Sequence, residues 1–167
     1  IRNQRRPGLA PPSNLRVNST SLLVLTPAKV NLILRVLERR PDGFHAIWSL
    51  MHTIGLNDEL TLTMQPAAAS RIALRCDQAG LAVDHTNLVY RAAELVLARV
   101  SRTIDLSISL TKRIPMGAGL GGGSSDAAAT ILGLTRLLGL EWSVGQMAEV
   151  GQQLGSDVPF FFVAPAA

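Results

Sequence analysis

Cysteine and histidine are scarce in this sequence of 167 residues, which has one cysteine, Cys76, and three histidines. A single cysteine excludes an internal disulfide bond and is typical of a small buried apolar residue in a reducing compartment. These residues show none of the spacings of a zinc site. No apolar run approaches the roughly 18 residues of a membrane span, and the run at residues 22–25 is too short for a signal-peptide core. We therefore expect a cytoplasmic globular protein.

Aromatic and acidic residues are also few, since aromatics make up 4% of the chain and no acidic residue precedes Glu38. Because unpaired bases stack on aromatic side chains, the sequence argues against a nucleic-acid partner, although the net charge is +4. The first twenty residues contain three prolines and four arginines, namely Arg2, Arg5, Arg6 and Arg16. We expect residues 1–20 to form a basic, disordered extension. A plastid transit peptide is the alternative, which the lack of a clear amphipathic pattern disfavours.

The length and the hydrophobic content of 47% suffice for one core, so we expect a single domain over residues 21–167. The apolar pattern predicts strands at residues 22–26, 31–37, 47–54, 59–64, 72–75, 104–110 and 159–163, and helices at 87–99, 124–138 and 143–154. Residues 57–58 and 66–70 have the composition of turns. Because strands cluster early and helices late, the predicted fold class is α+β, with helices on one face of a mostly antiparallel sheet.

The most informative segment is the glycine-rich stretch at residues 115–125, which has five glycines among residues 117–123. It lies between a predicted strand and an alanine-rich predicted helix, an arrangement that a flexible linker would not need. Glycines allow close backbone approach, and N–H groups at a helix N-terminus bind anions, most often phosphate. Ser124 and Ser125 add hydroxyls that can cap the helix or reach a phosphate or its metal. The segment therefore predicts a triphosphate site.

Three known phosphate loops fit this segment poorly. A Walker A loop requires a lysine, and the segment has none. A dinucleotide fingerprint is matched literally by Gly117, Gly119 and Gly122, but the preceding strand alternates apolar and polar residues and therefore does not suit a doubly wound parallel sheet. A protein-kinase glycine loop joins two strands, and nothing in the sequence resembles the catalytic loop of those enzymes.

The remaining pattern is Pro-x-Gly-x-Gly-Leu-Gly-Gly-Gly-Ser-Ser-x-Ala-Ala, and it is accompanied by three further segments in order. These segments are Pro27-Ala-Lys-Val-Asn-Leu32, Arg40-Pro-Asp-Gly-Phe-His45 and Leu154-Gly-Ser-Asp-Val-Pro159. Over roughly residues 23–163 the set resembles the GHMP small-molecule kinases. The resemblance implies the N-terminal, ATP-binding lobe of that family, with ATP and Mg²⁺ as cofactors and a second lobe of comparable size that is absent here.

Within the family, the segments most resemble a member whose substrate carries a cytidine diphosphate. The resemblance implies transfer of phosphate from ATP to the 2-hydroxyl of 4-(cytidine 5′-diphospho)-2-C-methyl-D-erythritol in non-mevalonate isoprenoid biosynthesis. Three alternatives stay open: a GHMP kinase for homoserine or mevalonate, a non-catalytic nucleotide-binding fragment and, last, a dinucleotide-dependent oxidoreductase.

The resemblance assigns roles to individual residues. It implies that Lys29 and Asp157 are catalytic, with Asp157 as the general base, although the pattern alone explains them as an exposed strand residue and a turn residue. It implies substrate binding by Phe44 and His45, which would recognise cytosine. Asn31 lies on the same strand face as Lys29 and could hydrogen-bond a substrate hydroxyl.

The nucleotide would be bound by the glycine-rich segment together with Asn87, which lies earlier in the sequence. The predicted residues are Asn87, Pro115, Met116, Gly117, Ala118, Gly119, Leu120, Gly121, Gly122, Gly123, Ser124 and Ser125. Helix capping explains Asn87 equally well. Ser124 is the candidate metal ligand, and Asp126 either helps to hold Mg²⁺ or favours the helix N-terminus electrostatically.

Overall fold

In the computed structural model, residues 16–18, 21–39, 43 and 45–164 are described, and within them five strands form one sheet. The strands are β1 (Arg16–Asn18), β2 (Ser21–Arg39), β3 (His45–Pro66), β4 (Arg71–Cys76) and β5 (Ile104–Thr111). Their order in the sheet is β1-β2-β3-β5-β4. All neighbouring pairs are antiparallel except β4 and β5, which are parallel. The predicted mostly antiparallel sheet is thus confirmed.

Three α-helices and a short 3₁₀-helix complete the described part of the chain. They are α1 (Leu88–Leu97), α2 (Gly122–Leu137), α3 (Val144–Gln152) and the 3₁₀-helix Pro159–Phe162. Helix α2 packs against β2 and β3, and it is flanked by α1 and α3. It approaches the sheet closely, because a Cβ placed on Gly133 would lie 2.5 Å from Leu62 Cδ1. The α+β prediction is confirmed, and no helix in the described ranges is long and apolar enough to cross a membrane.

The core lies between one face of the sheet and the helices. Strand β5 illustrates its origin, since Ile104, Leu106, Ile108 and Leu110 are buried while the serines between them are exposed. This alternation of period two places one row of side chains against the helices and the other against solvent. Strand β5 therefore forms as its sequence predicts.

Two predicted features of the sheet are wrong. The predicted strands at 22–26 and 31–37 are parts of the continuous β2, and the predicted turn at 57–58 lies inside β3, where Asp58 pairs with Thr26 of β2. A shift of register between Pro27 and Lys29 marks an irregularity at this point. The polar residues that suggest a turn are accommodated because Asp58 is buried among hydrogen-bond donors.

The predicted strand at 159–163 is also wrong, because Pro159–Phe162 form the 3₁₀-helix. Proline at the first helical position has the required φ and lacks an N–H that would be unpaired there. One aromatic side chain, Phe160, enters the core, and the next two are half-buried. Apolar composition alone does not separate such a turn from a buried strand.

The N-terminal prediction is tested at only a few residues. Arg16–Asn18 form β1 and pair with β2, so the expected disorder over 1–20 does not hold for these three residues. The rest of that segment lies outside the described residues, as does the predicted alternative of a transit peptide.

The outer half of the β2–β3 hairpin, at residues 32–39 and 45–56, is called the arm here. Ten of its large apolar side chains are between 36% and 60% exposed, and Met51 is half-buried. The ten are Leu32, Ile33, Leu34, Val36, Leu37, Ile47, Trp48, Leu50, Ile54 and Leu56. Because consecutive residues are exposed, neither face of the arm is covered within the described part of the chain.

Candidate active site

The glycine-rich segment has a backbone that only glycine adopts without strain. Gly117, Gly119 and Gly121 have φ values of 71° to 72°, which is the left-handed region. Gly121 is also the N-cap of α2, so no side chain accepts a hydrogen bond from the first amides of the helix. Those amides and the positive end of the helix dipole can bind an anion beside an exposed loop.

Lys29 and Asp157 meet beside this loop. Lys29 Nζ lies 3.3 Å from Asp157 Oδ2, and the lysine is 4% exposed while the aspartate side chain is 38% exposed. Lys29 Nζ also donates a hydrogen bond of 3.2 Å to Asn31 Oδ1, which accepts a second from Ser49 Oγ at 3.1 Å. The structure therefore brings together the predicted residues Lys29, Asn31 and Asp157.

The glycine loop contacts the lysine directly. The Lys29 backbone N–H donates to Leu120 O at 2.8 Å. A Cβ added to Gly121 would lie 2.9 Å from Lys29 Cγ and 3.2 Å from Phe161 Cζ. The anion site, the buried ammonium group and the exposed carboxylate therefore share one region of the surface.

This arrangement supplies the elements that phosphoryl transfer needs. Amides and an ammonium group can stabilise the charge of a triphosphate, and an exposed carboxylate can accept a proton from a hydroxyl. Of the two serines at the start of α2, Ser124 is half-buried and Ser125 is buried. Among the described residues, no group of three His, Cys, Asp or Glu side chains could hold a metal ion. A hydroxyl such as that of Ser124 suits Mg²⁺, which takes few protein ligands when phosphate oxygens are present.

Asp126 does not fit the role of a metal ligand. It is 1% exposed, its Oδ1 accepts from Thr26 Oγ1 at 2.6 Å, and its Oδ2 lies 2.8 Å from Lys112 Nζ. Burial raises the pKa of Asp126 to about 6, against the lowering effect of Lys112. Burial opposes the charge on Lys112 as well, but Asp126 and Asp58 hold the pKa of Lys112 above its ordinary value. Both oxygens of this carboxylate are thus occupied within the protein.

Sequence reasoning missed Lys112 and Asp58. The signal that could have found Lys112 is its place in the sequence, two residues after the predicted strand 104–110 and just before the glycine loop. Asp58 gave none, because an Asn-Asp pair has the composition of a turn.

The remaining predicted residues lie elsewhere. Asn87 caps α1, accepting from Val89 N–H at 2.8 Å and donating to Ala82 O at 2.6 Å. It adjoins the loop, since a Cβ on Gly123 would lie 3.6 Å from Leu88 Cδ1. His45 is exposed at the start of β3, about 20 Å along the strand from the residue opposite Asn31. Phe44 lies outside the described residues.

The sheet, the loop with its left-handed glycines and the helix that follows form an α+β lobe of the GHMP type. Residues 87–164 match the family described as the GHMP kinases N terminal domain, and the resemblance to that family expected from the sequence is confirmed. The chain is 45% identical over 147 residues to a 4-diphosphocytidyl-2-C-methyl-D-erythritol kinase of Geobacter metallireducens, an alignment covering 88% of this chain and 52% of that protein.

Other comparisons agree. A kinase of the same name from Solibacter usitatus is 49% identical over 140 residues, covering 84% of this chain and 43% of that protein. The crystal structure of a 4-(cytidine 5′-diphospho)-2C-methyl-D-erythritol kinase matches with a TM-score of 0.69 and 41% identity, covering 84% of this chain and 48% of that one. Homoserine kinase from Cytophaga hutchinsonii, at 21% identity, 83% and 42% coverage and a TM-score of 0.62, shares the fold. The chain spans about half the length of the curated relatives it matches.

Proposed function

We propose that the chain is the ATP-binding part of a kinase that phosphorylates the 2-hydroxyl of 4-(cytidine 5′-diphospho)-2-C-methyl-D-erythritol, a step of isoprenoid biosynthesis. The observation that carries the proposal is the Lys29–Asp157 pair, at 3.3 Å, beside a glycine loop that ends in an uncapped helix N-terminus. The names of the relatives at 45% and 49% identity support the choice of substrate. The predicted cytoplasmic location belongs to this proposal, because the reaction consumes ATP.

In the proposed mechanism, the amides of the loop and of the first turn of α2 bind the phosphates of ATP. Asp157 accepts the proton of the substrate hydroxyl, whose oxygen attacks the γ-phosphorus while the bond to the β-phosphate oxygen breaks and ADP leaves. Lys29 stabilises the ionised carboxylate and the charge on the transferred group. Ser124 would hold Mg²⁺ together with the phosphates, and the ion would supply charge neutralisation on ATP.

The substrate would lie along the arm. Asn31 accepts hydrogen bonds from Lys29 and Ser49 through Oδ1, so its Nδ2 is oriented by them and can donate to a substrate hydroxyl. His45 at the start of β3, and Phe44 before it in the sequence, would bind cytosine by hydrogen bonding and stacking. The span of about 20 Å along β3 suits an extended nucleoside diphosphate rather than a small hydroxy acid. The relatives are about twice as long as the part that this chain matches. Their additional length would form a second lobe that closes over the substrate.

The test is ADP release with Mg-ATP and the cytidyl substrate, with homoserine and mevalonate as control substrates. It is run on this chain and on the same chain fused to the C-terminal half of the Geobacter relative. We expect the fusion to turn over the cytidyl compound, and to turn over neither homoserine nor mevalonate. Turnover with homoserine or mevalonate would contradict the substrate, and a folded fusion that binds ATP without turnover would favour the non-catalytic alternative.

A further inference from the structure

A buried charge cluster lies beneath the glycine loop and is not used by the mechanism above. It consists of Asp58 on β3, Lys112 after β5 and Asp126 on α2, whose side chains are at most 6% exposed. Lys112 Nζ contacts Asp58 Oδ2 and lies 2.8 Å from Asp126 Oδ2. One ammonium group therefore joins two carboxylates that come from different elements of the fold.

The cluster contacts the glycine loop at both ends. At the entry, Asp58 Oδ1 accepts hydrogen bonds from the backbone N–H groups of Arg113 and of Ile114, the latter at 2.7 Å. At the exit, a Cβ on Gly122 would lie 3.2 Å from Lys112 Nζ. Asp126, one turn into α2, is bound to Lys112 and to Thr26 of β2. The two ends of the loop and the strand of Lys29 are thus tied to the same three charges.

The glycine loop has few side chains that could fix its position, because Pro115, Met116 and Ala118 are exposed and Leu120 is half-buried. Directional hydrogen bonds and ion pairs can fix the ends of such a loop, whereas apolar packing of similar volume often gives equal or greater stability without specifying one arrangement. Buried charges at this place are therefore better explained by positioning than by stability.

We propose that the buried charge cluster positions the glycine loop for nucleotide binding, with Lys112 as the central positioning residue. This inference rests on the proposed function in one respect, namely that the loop binds the triphosphate. Lys112 does not touch the nucleotide in this proposal; it acts through the backbone at residues 113–114 and through α2.

The test compares Lys112→Met, the double variant Lys112→Met/Asp126→Leu and the control Arg75→Met, an exposed cation on β4. The double variant removes Lys112 and Asp126 together, so Asp126 is not left buried without its cation, and Asp58 keeps its hydrogen bonds from the N–H groups of Arg113 and Ile114. It therefore keeps the test valid if Lys112→Met alone fails to fold. Hydrogen exchange followed by mass spectrometry measures the exchange rate of the loop peptide 113–123 separately from that of the β5 peptide 104–110. Isothermal titration calorimetry with Mg-ATP reports the Kd, and a melting curve reports stability.

In the double variant we expect exchange of the loop peptide to be about tenfold faster, Kd for Mg-ATP to rise about tenfold, and exchange of the β5 peptide to stay near that of the parent. The melting temperature should fall, because Asp58 loses its cation and the Thr26 hydroxyl loses its acceptor. The control should match the parent throughout. Parental loop exchange and parental Kd in the double variant would overturn the proposal, because the cluster would then serve stability alone. A parent that binds no Mg-ATP would contradict the proposed function instead, while loop exchange would still decide whether the cluster holds the loop.

Discussion

Lys29 and Asp157 are far apart in the sequence but close in the structure, where Lys29 Nζ lies 3.3 Å from Asp157 Oδ2. The lysine is fixed by burial, by Asn31 and by the hydrogen bond from its backbone to Leu120 of the glycine loop. The aspartate follows α3 and precedes the 3₁₀-helix, so its position depends on how those two elements pack. Any change that moves the loop therefore also moves the lysine of this pair.

Substitution of either member of the pair should abolish most of the proposed turnover. We expect Asp157→Asn and Lys29→Met each to lower kcat by about a hundredfold to ten-thousandfold, because proton transfer and charge stabilisation are lost. The Kd for Mg-ATP should change little for Asp157→Asn. The measurement is ADP release by the fused kinase, with Asp105→Asn, a carboxylate on β5, as the matched control. Turnover within a few-fold of the parent in both variants would exclude the proposed roles.

Substitution of two glycines of the loop distinguishes the effect of backbone strain from the effect of contact with Lys29. Gly117→Ala and Gly121→Ala both place alanine at positive φ, at a cost of about 1–2 kcal/mol each. At Gly117 the added Cβ meets nothing within 4 Å, whereas at Gly121 it meets Lys29 Cγ at 2.9 Å. Both variants should raise KM for ATP, and only Gly121→Ala should also lower kcat. Equal kcat values for the two variants would show that the contact with Lys29 is unimportant.

Asn87 offers a test of capping against nucleotide binding. Asn87→Ala should destabilise the domain by about 1–2 kcal/mol, because Val89 N–H and Ala82 O lose their partners. Asn87→Ser keeps a capping oxygen and should recover part of this loss. Chemical denaturation measures both. If Asn87 also contributes to nucleotide binding, Asn87→Ser weakens Mg-ATP binding. An unchanged Kd would leave capping as its only role.

The parts of the fold that follow from the sequence are those with a local signal. Strand β5 alternates strictly, α2 is rich in alanine, and the positive φ values of the loop require the glycines that mark it. The continuity of β3 could not be predicted, because Asp58 looks like a turn residue until Lys112 and two backbone N–H groups compensate its burial. Such partners are distant in the sequence.

The same distinction applies to the site. The loop indicates an anion site by its own composition, but the pairing of Lys29 with Asp157 joins segments that no local pattern connects, and only the resemblance to a family suggested it. Lys112 has neither a motif nor a predicted role. Its partners are known only once β3, β5 and α2 are packed together.

Helix α2 and helix α3 each contain a glycine that tests packing. Gly133→Ala should destabilise the domain by about 1–3 kcal/mol, because its Cβ would lie 2.5 Å from Leu62 Cδ1 and 3.3 Å from Leu22 Cδ2. Gly145→Ala on α3 is the control, since the nearest atom is 3.7 Å away and alanine favours a helix by up to about 1 kcal/mol. Chemical denaturation should show shifts of opposite sign. A stabilised Gly133→Ala variant would mean that α2 can move away from the sheet at little cost.

The exposed apolar arm should make this chain self-associate. Val36 and Ile47 are directly opposite each other on β2 and β3, and each is 60% exposed. Contiguous apolar surface of this kind promotes association, so the double variant Val36→Lys/Ile47→Glu should be less associated than the parent. Its melting temperature should change little, because both sites are exposed and the new charges are opposite.

Light scattering over a range of protein concentrations measures this difference. Val163→Lys is the matched control, since Val163 is 51% exposed and directly follows the 3₁₀-helix, outside the arm. We expect the control to associate as the parent does, because the arm presents far more apolar surface than this single side chain. A monodisperse parent at every concentration, or a control as well dispersed as the double variant, would contradict the assignment of the association to the arm.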